Sequence, residues 1–173
     1  VYRSALFRLE RVQVTGTNRL TQAEVLDAAG LRPGMLKWEA PASRIEERLS
    51  ADPRIRSVRA VWNGNRLNIE ITEREPIALL KYYERFYLEV DEEGYVLGQR
   101  MLSEGDRLPV VGGVAVTEAL RGERVDDLGL MDGLSVLAWF APAFREQISE
   151  VEVRDDRSIR LYMVGGTTVE WGV

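Results

Sequence analysis

The chain has 173 residues, 45% of them hydrophobic and 29% charged, a balance that predicts a globular body and excludes a disordered or membrane-embedded chain. Its 23 basic and 28 acidic residues are evenly mixed to a net charge of −5, which leaves no basic stripe for a phosphate backbone and excludes nucleic-acid binding. There is no cysteine and no histidine, so disulfides, thiolate nucleophiles, Cys/His zinc sites and histidine-based triads are all excluded.

In chain order, Leu6 to Gly16 predicts an opening strand, with Leu9 on one parity alongside Phe7, and Val12 and Val14 on the other. The slip of phase at Glu10–Arg11 predicts a bulge or bend. A short helix follows over about Gln22 to Ala29, with both ends marked. Thr21 and Glu24 form a capping box, and Leu20 and Val25 are spaced as a hydrophobic staple. Gly30 stands where a left-handed residue is needed, and Leu31 can return to Leu26. After Pro33–Gly34, a second helix is predicted over roughly Pro41 to Ala51, with Pro41 in its first turn. It buries Ala42, Ile45 and Leu49, turns Arg44, Glu46, Glu47 and Arg48 to water, and stops at Asp52–Pro53.

The run from Ile55 to Leu80 is the organising stretch. Asn63–Gly64 predicts a hairpin between two strands. In the return strand Leu67, Ile69 and Ile71 alternate with Arg66, Asn68, Glu70 and Thr72, which puts three apolar side chains on one face. Pro76 cannot donate to a central ladder, so the strand leaves one sheet there and enters another. This divides the chain into domains at 6–76 and 77–173.

The second domain is predicted to be mostly β. Asp91–Gly94 reads as a turn between Phe86–Val90 and Tyr95–Gly98, and Gly112–Gly113 as a break. A helix fits Leu128 to Phe140, with Leu130, Leu134, Leu137 and Ala141 at helical spacing and Gly133 counting against it. Ile148–Val153, Ile159–Met163 and Thr167–Trp171 are three closing strands of a curved antiparallel sheet, the last of them an edge.

The candidate chemistry is thin. Asp91, Glu92 and Glu93 admit a general-acid or hard-metal role, but their spacing is not that of an EF-hand loop and a solvated turn is the better reading. Glu73, Arg74 and Glu75 read as a binding patch or as charges that keep a strand edge from aggregating. Gly112–Gly113 and Gly165–Gly166 lack the strand–GxGxxG–helix setting, and Ser135 has no base to activate it. No nucleophile, base and oxyanion site assemble, so the expectation is a non-enzyme without cofactor or metal. What can bind is backbone. Thr167, Val169 and Trp171 share one face of the last strand and Thr168 and Glu170 the other, and an uncovered strand can accept a partner strand. The competing reading is that residues following in the intact protein cover it. The chain opens on Val1 rather than Met, which predicts that it is a piece of a longer protein.

Val12, Val14 and Gly16, then Leu20–Thr21 with Glu24–Val25, then Gly30, Gly34, Leu49, Pro53 and Val58 resemble the POTRA pattern. Glu73–Arg74–Glu75–Pro76–Ile77–Ala78, Leu88–Val96 with its Asp91 and Gly94, and Leu108–Pro109–Val110–Val111–Gly112 resemble in order the signatures of the FtsQ/DivIB family of bacterial division proteins. The resemblance implies an α+β fold: a POTRA domain of strand-helix-helix-strand-strand order, followed by a mostly antiparallel β domain with one or two helices. It implies a single-pass membrane protein of the division septum, with a membrane helix just before Val1 and this region extracytoplasmic. It also implies a divisome scaffold that binds FtsB/DivIC-like and FtsL-like proteins, with FtsW-, FtsI- and FtsK-like proteins as further partners. The resemblance implies that the family continues past Trp171–Gly172–Val173 with a helix and a strand that in some members carries the main FtsB contact, so the C-terminal end is expected to be truncated and that contact cannot be carried over to this chain. Partner contacts are assigned instead to the edge residues Thr167, Thr168, Val169, Glu170 and Trp171, and, because the resemblance implicates POTRA surface strands in recruitment, to Val58, Arg59 and Trp62. The alternative is a POTRA-containing component of a secretion or outer-membrane assembly system.

Overall fold

The computed structural model describes residues 8–83, 85–103, 105–114, 116 and 119–171. Leu6 and Phe7 of the opening run, and Gly172 and Val173 at the end, lie outside the described residues. The chain divides between Arg74 and Glu75 into two compact units.

The first unit is a three-stranded sheet with two helices. Strand β1 (Arg11–Thr15) runs parallel to β3 (Arg66–Glu73), which pairs antiparallel with β2 (Ile55–Asn63), giving the order β1-β3-β2. The expected phase slip has a structural cause. Leu9 donates its N–H to the Met35 carbonyl at 2.8 Å and Glu10 to that of Asn65 at 3.1 Å, so the chain changes partner before β1 begins. Leu67, Ile69 and Ile71 are buried on one face of β3, as their alternation requires. The hairpin loop is one residue later than expected. Asn63 pairs with Arg66, so the loop is Gly64–Asn65, and only Gly64 takes a positive φ, 64°. Glycine at the first loop position suits a type II′ turn, whose twist matches the strands.

Helix α1 (Gln22–Ala28) has the expected ends. The Thr21 hydroxyl accepts the Glu24 N–H while the Glu24 carboxylate accepts the Thr21 N–H at 2.9 Å. At the other end Gly30 has φ 67°, its N–H donates to Asp27 and that of Leu31 to Leu26, both at 2.9 Å, which is the Schellman closure. Arg48 adds a donor from outside, its Nη1 reaching the Ala29 carbonyl at 3.0 Å. Helix α2 (Ala42–Ser50) starts one residue later than expected, because Pro41 is extended at ψ 146° and caps the helix from outside it. Glu46 does not face water as its polarity suggested: its carboxylate accepts the Ala60 N–H of β2 at 2.8 Å.

The second unit is a seven-stranded sheet in the order β10-β9-β8-β7-β4-β5-β6. Its strands are β4 (Ala78–Tyr83), β5 (Phe86–Val90), β6 (Val96–Met101), β7 (Val110–Gly112), β8 (Ile148–Val153), β9 (Ile159–Met163) and β10 (Thr168–Trp171). The outer pairings are antiparallel, but β7 runs parallel to both β4 and β8. The sheet is thus mostly antiparallel with a parallel centre. Helix α3 (Leu128–Trp139) buries Leu130, Leu134 and Leu137 on it, with Val111, Val151 and Leu161 in the same core. Ala141 does not continue that stripe; it lies past the helix end, exposed, and precedes the short α4 (Pro142–Arg145). Gly133 has a packing reason, since a Cβ there would stand 3.2 Å from methyl groups of Val111 and Val153.

Two expectations about charged residues are corrected. The Glu73 carboxylate accepts the backbone N–H groups of Asn18, Arg19 and Leu20 at 2.8–2.9 Å, so it ties a loop down rather than guarding an edge. Asp91 is not solvated: it is 3% exposed, and its Oδ1 accepts the N–H of Glu93 at 3.0 Å and of Tyr95 at 2.9 Å, organising the β5–β6 turn from inside.

Candidate docking site

The last hairpin sets the geometry of the site. Met163 accepts the Gly166 N–H at 2.9 Å and donates its own N–H to Thr167 at 2.8 Å, and Gly166 takes φ 83°. This turn with a glycine bulge fixes the register of β10 on β9: Thr168 opposite Tyr162, Val169 opposite Leu161, Glu170 opposite Arg160, Trp171 opposite Ile159. Antiparallel ladders alternate, so with Thr167 bonded to Met163 the main-chain groups of Val169 and Trp171 turn towards β9. Those of Thr168 and Glu170 turn away from it. Among the described residues no strand lies on that outer side, since β10 ends the sheet order.

The opposite edge is treated differently. Val96 of β6 donates to the Glu123 carbonyl at 2.9 Å and accepts from Gly122 at 2.8 Å, and Arg121 donates to the Leu97 carbonyl at 3.1 Å. The 121–123 segment therefore covers the start of that edge.

Side chains distinguish the two faces of β10. On the helix side Trp171 meets Trp139 at 5.4 Å and Phe140 at 5.3 Å between ring centres, and Phe140 meets Phe144 at 4.6 Å. Trp139 is 72% exposed and Val169 39%, so the cluster is half core and half surface, at the open edge. On the other face Glu170 accepts from Arg160 Nε at 2.7 Å and lies 3.5 Å from Arg154 Nη2. The Arg160 hydrogen bond, aided by Arg154, holds the Glu170 carboxyl below its ordinary range.

Of the residues assigned from sequence, Thr168, Val169, Glu170 and Trp171 form β10, and Thr167 closes the hairpin before it. Val58, Arg59 and Trp62 sit in the first unit and do not share a surface. Val58 and Trp62 pack on its core, and the Trp62 indole N–H donates to the Ala40 carbonyl at 3.0 Å beneath Lys37. Arg59 alone is on the exposed face, opposite Glu70. Sequence reasoning missed Trp139, Phe140 and Phe144. Their signal was an aromatic pair at the helix end that the Leu130/Leu134/Leu137 stripe does not use.

A small sheet with two helices, followed in the chain by a larger, mostly antiparallel sheet with a helix packed on it, defines a POTRA-plus-β protein of the α+β class. Residues 7–74 match the family described as POTRA domain, FtsQ-type, and residues 78–173 the family described as Cell division protein FtsQ/DivIB, C-terminal. The chain belongs to the FtsQ/DivIB family of bacterial cell division proteins.

A protein named Cell division protein FtsQ from Syntrophotalea carbinolica is 31% identical over 99% of this chain and 62% of its own length. Those of the same name from Myxococcus fulvus and Streptomyces coelicolor are both 29% identical, over 98% and 99% of this chain and 60% and 67% of theirs. The chain thus spans just over three-fifths of the length of the first curated relatives it matches. A solved structure, the major extracytoplasmic domain of the cell division protein DivIB from Geobacillus stearothermophilus, aligns over 58% of this chain and 80% of its own at 19% identity and a TM-score of 0.37. Among the described residues no helix is long and apolar enough to cross a membrane.

Proposed function

We propose that this chain is the extracytoplasmic, non-catalytic body of a divisome scaffold at the septum. A membrane helix upstream of Val1 anchors it, and it recruits FtsB/DivIC-like and FtsL-like proteins, with FtsW-, FtsI- and FtsK-like proteins as further partners. Each of its two domains, 6–76 and 77–173, offers its own surface. The observation that supports this reading is the outer side of β10, on which no strand lies among the described residues and to which the main-chain groups of Thr168 and Glu170 point, beside the Trp139–Trp171 cluster. An edge of this kind can take a partner strand. The lack of any cysteine or histidine agrees with a docking rather than a catalytic role. Transport is not favoured, because the second unit matches the FtsQ/DivIB C-terminal family rather than another POTRA domain.

The test is a titration of the chain with the extracytoplasmic segments of the FtsB/DivIC-type and FtsL-type proteins of the same organism, followed by amide NMR. Saturable binding with shifts on β10 is expected. Thr168→Pro should weaken it at least about tenfold while sparing the β9 ladder, since the Thr168 N–H points away from β9. Binding that Thr168→Pro leaves intact, with β10 unshifted, would overturn the assignment of the site.

A further inference from the structure

Strand β2 ends the sheet order of the first unit, and no strand lies beyond it among the described residues. Asn63 and Arg66 close a two-residue loop, so the main-chain groups of Arg59, Val61 and Asn63 turn towards β3 and those of Val58, Ala60 and Trp62 turn away. A row of outward N–H and C=O groups is a template for another strand. Here the middle donor is already taken: the Glu46 carboxylate reaches from α2 and accepts the Ala60 N–H at 2.8 Å. A bulge between Ile55 and Ser57 interrupts the start of the same edge.

The strand that suits this edge is a second β2. An antiparallel copy turned about a two-fold axis at Ala60 sets Ala60 against Ala60 and Val58 against Trp62, so the outward groups of each strand meet those of the other. On the helix face Val58 and Trp62 are apolar and already border the core. On the open face Arg59 stands against the exposed Val61, and no like charges oppose one another. Glu46 stands in the way. It occupies the donor that lies on the axis, and the second copy brings its own Glu46 to the same point.

We propose that Glu46 is a lock on β2 that keeps two copies of this chain from joining their first units into one continuous sheet. The lock is a side-chain acceptor on α2 that fills the main-chain donor a pairing strand needs. It lies wholly within the first unit and is independent of the reading of β10.

The test is analytical ultracentrifugation up to millimolar protein, with amide hydrogen exchange read by NMR. The unsubstituted chain should show no pairing through β2, and its Ala60 amide should exchange more slowly than that of Val58. Glu46→Ala should self-associate at least about tenfold more tightly, with protection at Val58, Ala60 and Trp62 that rises with protein concentration. Glu46→Gln, whose side-chain carbonyl can still accept the Ala60 N–H, should behave as the unsubstituted chain does. Adding Val61→Arg to Glu46→Ala sets two arginines against each other across the proposed pair and should reverse the association. A folded Glu46→Ala chain that stays monomeric would overturn the lock, as would Glu46→Gln associating as strongly as Glu46→Ala. Association that Val61→Arg leaves unchanged, or an unsubstituted chain already paired through β2, does the same. If Glu46→Ala does not fold, the unsubstituted chain decides: an Ala60 amide that exchanges as fast as that of Val58 shows that Glu46 does not hold the edge.

Discussion

The carboxylate of Glu73, at the last position of β3, accepts the main-chain N–H of Leu20, 53 residues earlier, at 2.9 Å. The same group takes the N–H of Asn18 and of Arg19, so one side chain satisfies three consecutive donors of the loop that leads into α1. Leu20 is thereby held in place to pack with Val25 across the N-cap Thr21. A sheet terminus thus positions a helix terminus through a charged acceptor, and the first unit depends on it.

Glu73→Gln should lower the stability of the first unit by about 1–3 kcal/mol, the range for a charge-assisted hydrogen bond. Partial desolvation pushes the Glu73 carboxyl up, but the N–H groups of Arg19, Leu20 and Asn18 together hold it below its usual 4.5. A depressed folded-state value means the stabilisation is whole above the unfolded-state value and is lost as pH falls through the folded one. Thermal melts of the unsubstituted chain should therefore weaken below about pH 4.5, and the variant should lose that part of the acid dependence.

Gly16 and Gly113 hold equivalent places in the two units. Gly16 has φ 82° with space for a Cβ blocked by the Ile71 carbonyl oxygen at 2.0 Å, and Gly113 has φ 82° with the Val153 oxygen at 1.9 Å. Each alanine substitution combines a left-handed backbone with a clash against rigid main chain, and should cost about 2 kcal/mol or more. If the units fold separately, Gly16→Ala lowers only the melting transition that reports Trp62, and Gly113→Ala only the one that reports Trp139 and Trp171. Differential scanning calorimetry with tryptophan fluorescence resolves this.

Gly133→Ala in α3 tests packing against propensity. In an exposed helix the change would stabilise by about 1 kcal/mol. Here the new methyl group meets Val111 and Val153 side chains at 3.2 Å, and β-branched residues in a packed sheet have no other rotamer to retreat to. The second unit should be destabilised by about 1 kcal/mol, measured by urea denaturation.

Arg100 holds the segment after β6 onto the sheet. Its Nε lies 3.1 Å from the Glu89 carboxylate, its Nη1 bonds Asp106, and Asp106 accepts the Ser103 N–H at 2.7 Å. The Ser103 N–H and then the Arg100 guanidinium hold the Asp106 carboxyl below its ordinary range. Arg100→Met leaves two carboxylates, 14% and 15% exposed, without their shared cation. Their partial access to water limits the cost to about 2 kcal/mol. Trypsin should then cut after Arg107 many times faster than in the unsubstituted chain.

What the sequence determined by itself lay among groups whose partners are a few residues away. The capping box and glycine closure of α1, the alternation of Leu67, Ile69 and Ile71, and the three closing strands could all be read locally, because caps, turns and periodicities use contacts a turn or a hairpin away. The POTRA-plus-β fold followed from their order. Tertiary structure alone decided which distant groups meet. It placed the three-residue strand β7 in parallel between β4 and β8, a pairing no local pattern encodes because 35 residues separate β7 from β8. It buried Asp91, spent Glu73 on a remote loop, and turned Val58 and Trp62 inwards while leaving Arg59 outside. It also gathered Trp139, Phe140 and Trp171 from a helix end and a strand end into one exposed cluster. A polar or aromatic side chain carries no mark of its partner in the sequence; whether it faces water, a backbone donor or another ring is settled only when the chain closes around it.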